Sequence, residues 1–238
     1  MSPVVAGPGE LMHQGVSRAL GIEIIEGSWP VDTARTLDDI QTRFGVSRTV
    51  AREVSRQLEA MGLVRTRRRL GLIAQPMSNW SVLDPMLIDW RLHSSRRNEQ
   101  LYSLTQLRMV VEPAAAEGAA RNASVHTRAE LLPLAAEMRR TGETGQLPEF
   151  LRHDIEFHRH ILRSSGNELF AALSDLVAVV LQGRTELGMM PSIPKPEALA
   201  SHEAVAQAVF HGDPVGARAA MQEILDEVRE AFDDAPQP

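Results

Sequence analysis

The sequence predicts a mainly α-helical protein, in which an N-terminal winged helix-turn-helix (α/β, with a small wing hairpin) precedes an all-α bundle of six or seven helices. Two patterns predict the first part: residues 44–64 combine a turn with an amphipathic helix, and residues 65–74 place a basic run before a short apolar segment. Apolar residues in the remainder recur at helical spacing. A polar, proline-containing stretch after the hairpin divides the chain into domains of residues 1–76 and 77–238.

The helix-turn-helix is predicted by a turn glycine and the helix after it. Gly45 can adopt the turn conformation that residues with a β-carbon resist, and Ser47 is a favourable N-cap. Val50, Val54 and Leu58 recur every four residues, so they should pack into a core. The candidate DNA-contacting residues at the start of this helix are Ser47, Arg48, Thr49 and Arg52. An ordinary amphipathic surface helix is the alternative interpretation.

A basic run between two apolar segments predicts the wing. Of the five residues at 65–69, four are arginine. Arginines beside a recognition helix suit phosphate contacts and salt-sensitive DNA binding, whereas such a run alone is equally compatible with a solvated surface. Together with the helix-turn-helix pattern, DNA binding is the better explanation. The wing candidates are Arg67, Arg68, Arg69 and Gly71.

Composition limits the classes of protein to which the chain can belong. Its 43% hydrophobic residues predict a folded core, and the absence of cysteine excludes disulfides, thiolate metal sites and cysteine nucleophiles. The net charge is −6, but residues 1–76 hold ten basic against eight acidic residues, and residues 77–238 hold fifteen against twenty-three. The basic charge therefore lies with the DNA-binding motif. No apolar run indicates a membrane span or a signal peptide, so we expect a cytoplasmic protein without a membrane partner.

Helical spacing predicts that the C-terminal domain consists of helices. Pro133 is expected to kink or interrupt one of them, Asp213 and Pro214 are a favourable start for the last, and residues 188–196 contain three prolines and should form a loop. The predicted helices cover about residues 83–92, 99–121, 124–140, 148–165, 168–186, 197–211 and 214–232.

Asp154 and His158 are the first candidate metal ligands, because a spacing of four places both side chains on one face of a predicted helix. A carboxylate and an imidazole at that spacing form a suitable half-site for a divalent ion. His202 begins another predicted helix and can supply a third ligand after folding. The alternative is a surface ion pair with an unrelated histidine.

Arg108 lies within an apolar run, so its guanidinium is expected to be buried and to need an anion. Glu112, one helical turn later, is one candidate partner, and the carboxylate of a bound ligand is the other. Arg184 can supply a second contact to such an anion, or contacts to its hydroxyls. Asn167 either ends a helix or faces the same pocket.

Three blocks of sequence, taken in order along the chain, allow comparison with a known family. They are Phe-Gly-Val-Ser-Arg-Thr at 44–49 with Arg52 and Glu53, Leu-Arg-Met-Val-Val-Glu-Pro at 107–113, and the stretch 154–167 followed by 201–203 and 212–213. In residues and spacing the chain resembles the FadR subfamily of the GntR superfamily of transcription factors, which joins a winged-helix domain to an all-helical FCD effector domain. Residues 79–90 further resemble the branch that includes the galactonate-operon repressor.

The resemblance implies a site for a divalent metal ion such as Zn, Ni or Mn, because members of the family usually bind one with an aspartate and three histidines. The first three positions match Asp154, His158 and His202, whereas Ile224 stands where the fourth ligand is expected. Isoleucine cannot ligate, so either an effector oxygen and water complete the shell or the metal affinity is low. The resemblance also implies that Arg108 holds the effector carboxylate and that the protein is a homodimer.

The DNA-binding domain departs from the family in the stretch before the recognition helix. Where the family commonly has Leu-Pro-x-Glu-Arg-x-Leu, residues 34–40 are Ala-Arg-Thr-Leu-Asp-Asp-Ile. Asp38 thereby replaces an arginine that touches DNA phosphate in some members. Arg35 can compensate from a nearby position, which makes it a further candidate DNA contact.

The resemblance implies a ligand-responsive regulator that binds double-stranded operator DNA and is not an enzyme. We expect a repressor of a sugar-acid catabolic operon, released when a small hydroxy acid or sugar acid such as galactonate or gluconate binds the C-terminal domain. One alternative is a hydrolase-like enzyme that activates water on a metal held by Asp154, His158 and His202. Another is a metal-free regulator that responds to acyl-CoA.

Overall fold

The computed structural model describes residues 8–233, and packing divides the chain into two units that meet between Asn98 and Glu99. The predicted division after residue 76 lies earlier, because the segment 77–98 packs with the N-terminal unit. Leu87 and Trp90 from this segment belong to the N-terminal core. The Trp90 ring lies so close to the backbone of Gly21 that no side chain fits there.

The N-terminal unit is a winged helix-turn-helix, as the sequence predicts. Its elements are α1 (Pro8–Ile25), β1 (Ala34–Arg35), α2 (Leu37–Phe44), α3 (Arg48–Ala60), β2 (Val64–Arg67), β3 (Gly71–Ala74) and α4 (Pro85–Leu92). The strands form an antiparallel sheet of order β1-β3-β2. Buried residues of the core include Leu20, Trp29, Ile40, Val54 and Leu58.

Local capping determines where the helix-turn-helix begins and ends. Thr36 and Asp39 form a reciprocal capping box at the start of α2, and Gly45 ends that helix in the left-handed conformation at φ 64°. The Ser47 hydroxyl then accepts a hydrogen bond from the N–H of Val50 and begins α3. The predicted turn and N-cap are therefore confirmed.

The wing is a hairpin in which Arg67 pairs with Gly71 across a loop of residues 68–70. Arg69 and Gly71 have positive φ angles of 68° and 95°. A β-carbon on Gly71 would lie 2.4 Å from the carbonyl oxygen of Arg35, because β3 pairs with β1 at this point. Both conformation and space therefore require glycine at position 71.

The C-terminal unit is built from α-helices. They are α5 (Arg97–Asn122), α6 (Val125–Ala129), α7 (Leu131–Glu143), α8 (Leu147–Ser164), α9 (Glu168–Ala172), α10 (Ser174–Glu186), α11 (Pro196–His211) and α12 (Pro214–Asp233). Two predicted helices are each divided in two, at Glu130 and at Leu173. Pro133 explains the first break, because it has no N–H to donate to the carbonyl of Ala129 and is tolerated only in the first turn of α7.

Helix α8 holds the C-terminal unit together by packing against α7 and α10, while α11 packs against α7 and α12. Phe157, Ile161 and Val205 are fully buried between these helices. The side-chain amide of Asn122, at the end of α5, donates to the carbonyl oxygen of Ser165 at 2.7 Å and ties α5 to the end of α8. Within residues 8–233, none of the helices combines the length and apolar composition that crossing a bilayer requires.

Gly71→Ala should lower the free energy of unfolding of the N-terminal unit by roughly 2–4 kcal/mol, since the β-carbon incurs left-handed strain and a backbone collision. Gly27→Ala is the matched control, because Gly27 has a φ of 81° but no atom within 4 Å of the added carbon. It should cost only about 1–2 kcal/mol. Urea unfolding followed by tryptophan fluorescence is selective for this unit, which contains all three tryptophans of the chain. Equal losses in the two variants would contradict the contact with Arg35.

Candidate functional site

A cavity of about 120 Å³ lies between α5, α8, α10, α11, α12 and the segment 189–195. It brings together the three candidate metal ligands and two of the three candidate anion-binding residues, although these come from four different helices. The ionisable side chains that line it are Arg108, Asp154, His158, Arg184, Lys195, His202 and Glu227. Such a collection of charged groups in an otherwise apolar interior is typical of a small-molecule site.

The candidate metal ligands converge from α8 and α11. Asp154 and His158 lie one turn apart on α8, and the Oδ1 atom of Asp154 lies 3.3 Å from Nε2 of His158 and 3.4 Å from Nε2 of His202. All three side chains are buried. The two histidines lower the pKa of Asp154 against the opposing effect of burial, so this carboxylate is ionised.

The outer nitrogen of each imidazole already has a neighbour. His158 Nδ1 lies 2.6 Å from Oε2 of Glu112, and His202 Nδ1 lies 2.7 Å from the carbonyl oxygen of Ala198. Each Nδ1 therefore faces an oxygen and each Nε2 faces Asp154, and the His202 contact has hydrogen-bond geometry whereas the His158 contact is one of proximity. An acceptor behind a metal-binding imidazole is the usual arrangement that orients such a ligand.

The donor set fits a divalent cation. One ligand atom from each of Asp154, His158 and His202 lies within 4.8 Å of the others. Although Asp154 Oδ1 and His202 Nε2 are buried, neither forms a hydrogen bond within the described part of the chain. One carboxylate oxygen with two imidazole nitrogens suits Zn, Ni or Mn. Ile224 lines the cavity from α12 and contributes no ligand atom, so the protein offers three ligands.

Arg108 is buried and paired with Glu112. Its Nε and Nη2 atoms lie 2.5 and 3.3 Å from the two carboxylate oxygens, whereas Nη1 has no hydrogen-bond partner among residues 8–233. Burial alone would raise the pKa of Glu112, but Arg108 and His158 lower it to about 2. Of the two partners that the sequence left open for Arg108, the structure shows the protein carboxylate, and it leaves one guanidinium nitrogen unused.

The remaining cations of the cavity are Arg184 and Lys195. Lys195 forms an ion pair with Glu227 at 3.3 Å. The Arg184 side chain forms no hydrogen bond or ion pair with any residue that the structure describes. Burial and the positive charge of Arg108 lower the pKa of Arg184 to about 10. Arg184 is therefore a partly buried cation that faces the cavity without a direct ion-pair partner in the described part of the chain.

Sequence reasoning missed Lys195 and Glu227, and it included Asn167, which does not line the cavity. The link between Glu112 and His158 joins positions 46 residues apart, and the Lys195–Glu227 pair also joins distant segments. One signal was available, because Lys195 is the only lysine in the chain. Asn167 instead caps α9, where its side-chain oxygen accepts from the N–H of Leu169.

The candidate DNA-contacting residues occupy the start of α3 and the wing. Six of them have exposed side chains that make no ion pair within residues 8–233. These six are Arg48, Thr49, Arg52, Arg67, Arg68 and Arg69. Ser47 is exposed and serves as the α3 cap. Arg35 is differently placed, since Glu23 binds its guanidinium at 2.5 Å and Trp29 lies beneath it at 4.5 Å.

Comparison with known proteins places this geometry in context. Residues 103–227, just over half of the chain, match the model of the FCD domain. The galactonate operon transcriptional repressor of Escherichia coli is 29% identical over 199 residues, covering 82% of this chain and 85% of that protein. The uncharacterised HTH-type regulator YieP of the same organism is 29% identical over 187 residues, covering 79% and 80%. A solved GntR structure from Streptococcus agalactiae has a TM-score of 0.50 at 22% identity, covering 92% of this chain and 99% of that one, and shows the fold alone.

Arg108→Ala should destabilise the C-terminal unit by roughly 3–5 kcal/mol, because it leaves the buried Glu112 carboxylate without its main counterion. Arg139→Ala is the control, since Arg139 pairs with Glu203 in the same unit but is 32% exposed. It should cost no more than about 1 kcal/mol. Thermal unfolding followed by far-UV circular dichroism measures the effect. A loss as small as that of the control would contradict a structural role for the Arg108–Glu112 pair.

Proposed function

The chain belongs to the FCD-domain family of GntR transcriptional regulators, and we propose that it is a homodimeric, cytoplasmic repressor of a sugar-acid catabolic operon. Its N-terminal unit holds operator DNA until a small hydroxy acid or sugar acid binds in the C-terminal cavity. One observation carries the proposal. A winged helix-turn-helix with unpaired surface arginines and a buried cavity with a metal donor set and two arginines occur in one chain.

DNA is read by α3 and the wing. Arg48, Thr49 and Arg52 lie in the first turns of α3, where a recognition helix meets base edges in the major groove. The exposed arginines of the wing contact the phosphate backbone beside it. Gly71 supports the wing through its backbone, and Arg35 supports the unit through Glu23 and Trp29.

Asp154, His158 and His202 would hold a divalent ion such as Zn, Ni or Mn. Such an ion, when bound, supplies a Lewis-acidic centre that attracts carboxylate and hydroxyl oxygens. Arg184 and the unused Nη1 of Arg108 provide N–H donors for the acidic group of the effector. This combination suits a small molecule that carries both a carboxylate and hydroxyls.

DNA is released if the effector binds more tightly to one arrangement of the dimer than to the arrangement that fits the operator. In a homodimer the two α3 helices must match the spacing of two half-sites, and an effector that prefers another arrangement of the dimer lowers the affinity for the operator. No bond in the effector is made or broken in this scheme.

The cavity favours a small acid over the two alternatives. Its volume of about 120 Å³ is well below the roughly 300–1,000 Å³ of pockets for drug-sized ligands, which disfavours an acyl chain. A hydrolase would need a free general base. Of the two carboxylates that line the cavity, Asp154 belongs to the metal donor set and Glu227 pairs with Lys195, so neither is free to act as that base.

Arg48→Ala and Arg52→Ala should each weaken specific operator binding roughly ten- to a hundredfold, because each removes a contact to bases or phosphates. Fluorescence anisotropy with an operator selected from random DNA measures this effect. Arg56→Ala is the matched control, since Arg56 is an exposed arginine of α3 that pairs with Glu53. Equal weakening in all three variants would argue against base reading by the start of α3.

Zn²⁺ should raise the melting temperature of the protein, and a chelator should reverse the effect. An ion present at a hundred times its Kd adds about 2.7 kcal/mol to the free energy of unfolding. Galactonate or gluconate should raise the temperature further and dissociate the operator. His202→Gln should abolish the response to Zn²⁺, whereas His211→Gln, an exposed histidine of the same helix, should keep it. An unchanged metal response in His202→Gln would overturn the assignment of the ligands.

A further inference from the structure

Most charges at the cavity are balanced in pairs. Glu112 neutralises Arg108, and Glu227 neutralises Lys195. Arg184 forms no ion pair among the residues that the structure describes, although it lines the same cavity as Arg108, whose positive charge repels it. Asp154 and Glu227 attract Arg184 from a distance, but Asp154 faces the two histidines and Glu227 pairs with Lys195, so an anion bound in the cavity would be the first to contact Arg184 directly.

The metal site adds a second unbalanced charge. A divalent ion requires neutral imidazoles, so Asp154 is the one anionic ligand of the set. Ile224 adds neither a ligand atom nor a charge from α12, so Asp154 alone among the ligands offsets the charge of a bound ion. A loaded cavity therefore has one excess positive charge at the triad and another at Arg184.

We propose that the effector is a short hydroxy-dicarboxylic acid, bound as a dianion. One carboxylate and its neighbouring hydroxyl face the Asp154, His158 and His202 triad, and the second carboxylate binds Arg184 and the free Nη1 of Arg108. This inference rests on the proposed function and narrows its effector class from sugar acids in general to dicarboxylic ones.

The shape of the site supports a dianion over a monoanion. Arg108 and Arg184 line one cavity of about 120 Å³ together with the triad, so a short molecule can reach both charged regions. A monocarboxylate would leave one enclosed positive charge without a partner. Charge-assisted hydrogen bonds to an arginine are about twice as strong as neutral ones, so the second carboxylate should matter for affinity.

Matched acids provide the test. Galactarate and galactonate differ only in one terminal carboxylate, and so do tartrate and threonate. The binding of each acid is measured by isothermal titration calorimetry with full-length protein that has been loaded with Zn²⁺ and desalted. In each pair that binds, the dicarboxylate should bind roughly ten- to a hundredfold more tightly than the monocarboxylate. Chelation of the ion should reduce this preference, because it removes one of the two positive charges.

Variants at Arg184 separate charge from fold. Arg184→Gln should reduce the dicarboxylate preference to less than about threefold while leaving the monocarboxylate affinity nearly unchanged, whereas Arg184→Lys should retain most of it. Arg163→Gln, an exposed arginine of α8 outside the cavity, is the control and should behave as the parent protein. Operator binding by each variant verifies that it is folded.

The outcomes distinguish the two levels of the hypothesis. Equal affinity for both members of each pair, with no change in Arg184→Gln, would overturn the dianion and leave a sugar-acid repressor in place. A preference that persists in Arg184→Gln would place the second carboxylate elsewhere and overturn the role of Arg184. Failure of all four acids to bind, with or without Zn²⁺, would contradict the proposed function itself.

Discussion

The C-terminal unit depends on the ion pairs that the Glu112 carboxylate forms with Arg108 and His158. This carboxylate is fully buried, and it meets Arg108 from its own helix and His158 from α8. A carboxylate without such partners would be costly to enclose. Glu112 therefore fixes how α5 meets α8, and it turns the far nitrogen of His158 toward Asp154. The position of His158 at the cavity and the contact between α5 and α8 therefore depend on the same carboxylate.

The elements that sequence reasoning predicted well are those whose signals lie within a few residues. Gly45, Ser47 and the apolar residues of α3 each act over one or two helical turns, so capping and periodicity are sufficient. The Asp154–His158 half of the metal set is equally local. The third member, His202, comes from α11, and its place beside the other two followed from the family resemblance and not from spacing.

Features that required the fold join segments far apart in the chain. The packing of residues 77–98 on the N-terminal core depends on Trp90 filling the space above Gly21. The sequence shows Arg35 near the DNA-reading region, but its engagement by Glu23 and Trp29 depends on the path of α1 and the loop after it. The balance of charge in the cavity could not be predicted from the sequence either, because its ionisable residues come from five helices and a loop.

The single lysine of the chain has a chemical consequence. Every other basic side chain apart from histidine is a guanidinium, so an amine-directed reagent or acyl donor has one side chain to modify, and that side chain lines the cavity. Acylation would remove the charge of Lys195 and leave Glu227 as an unbalanced anion at the site. One covalent event would thus make the cavity less attractive to acids without altering Arg108, Arg184 or the triad.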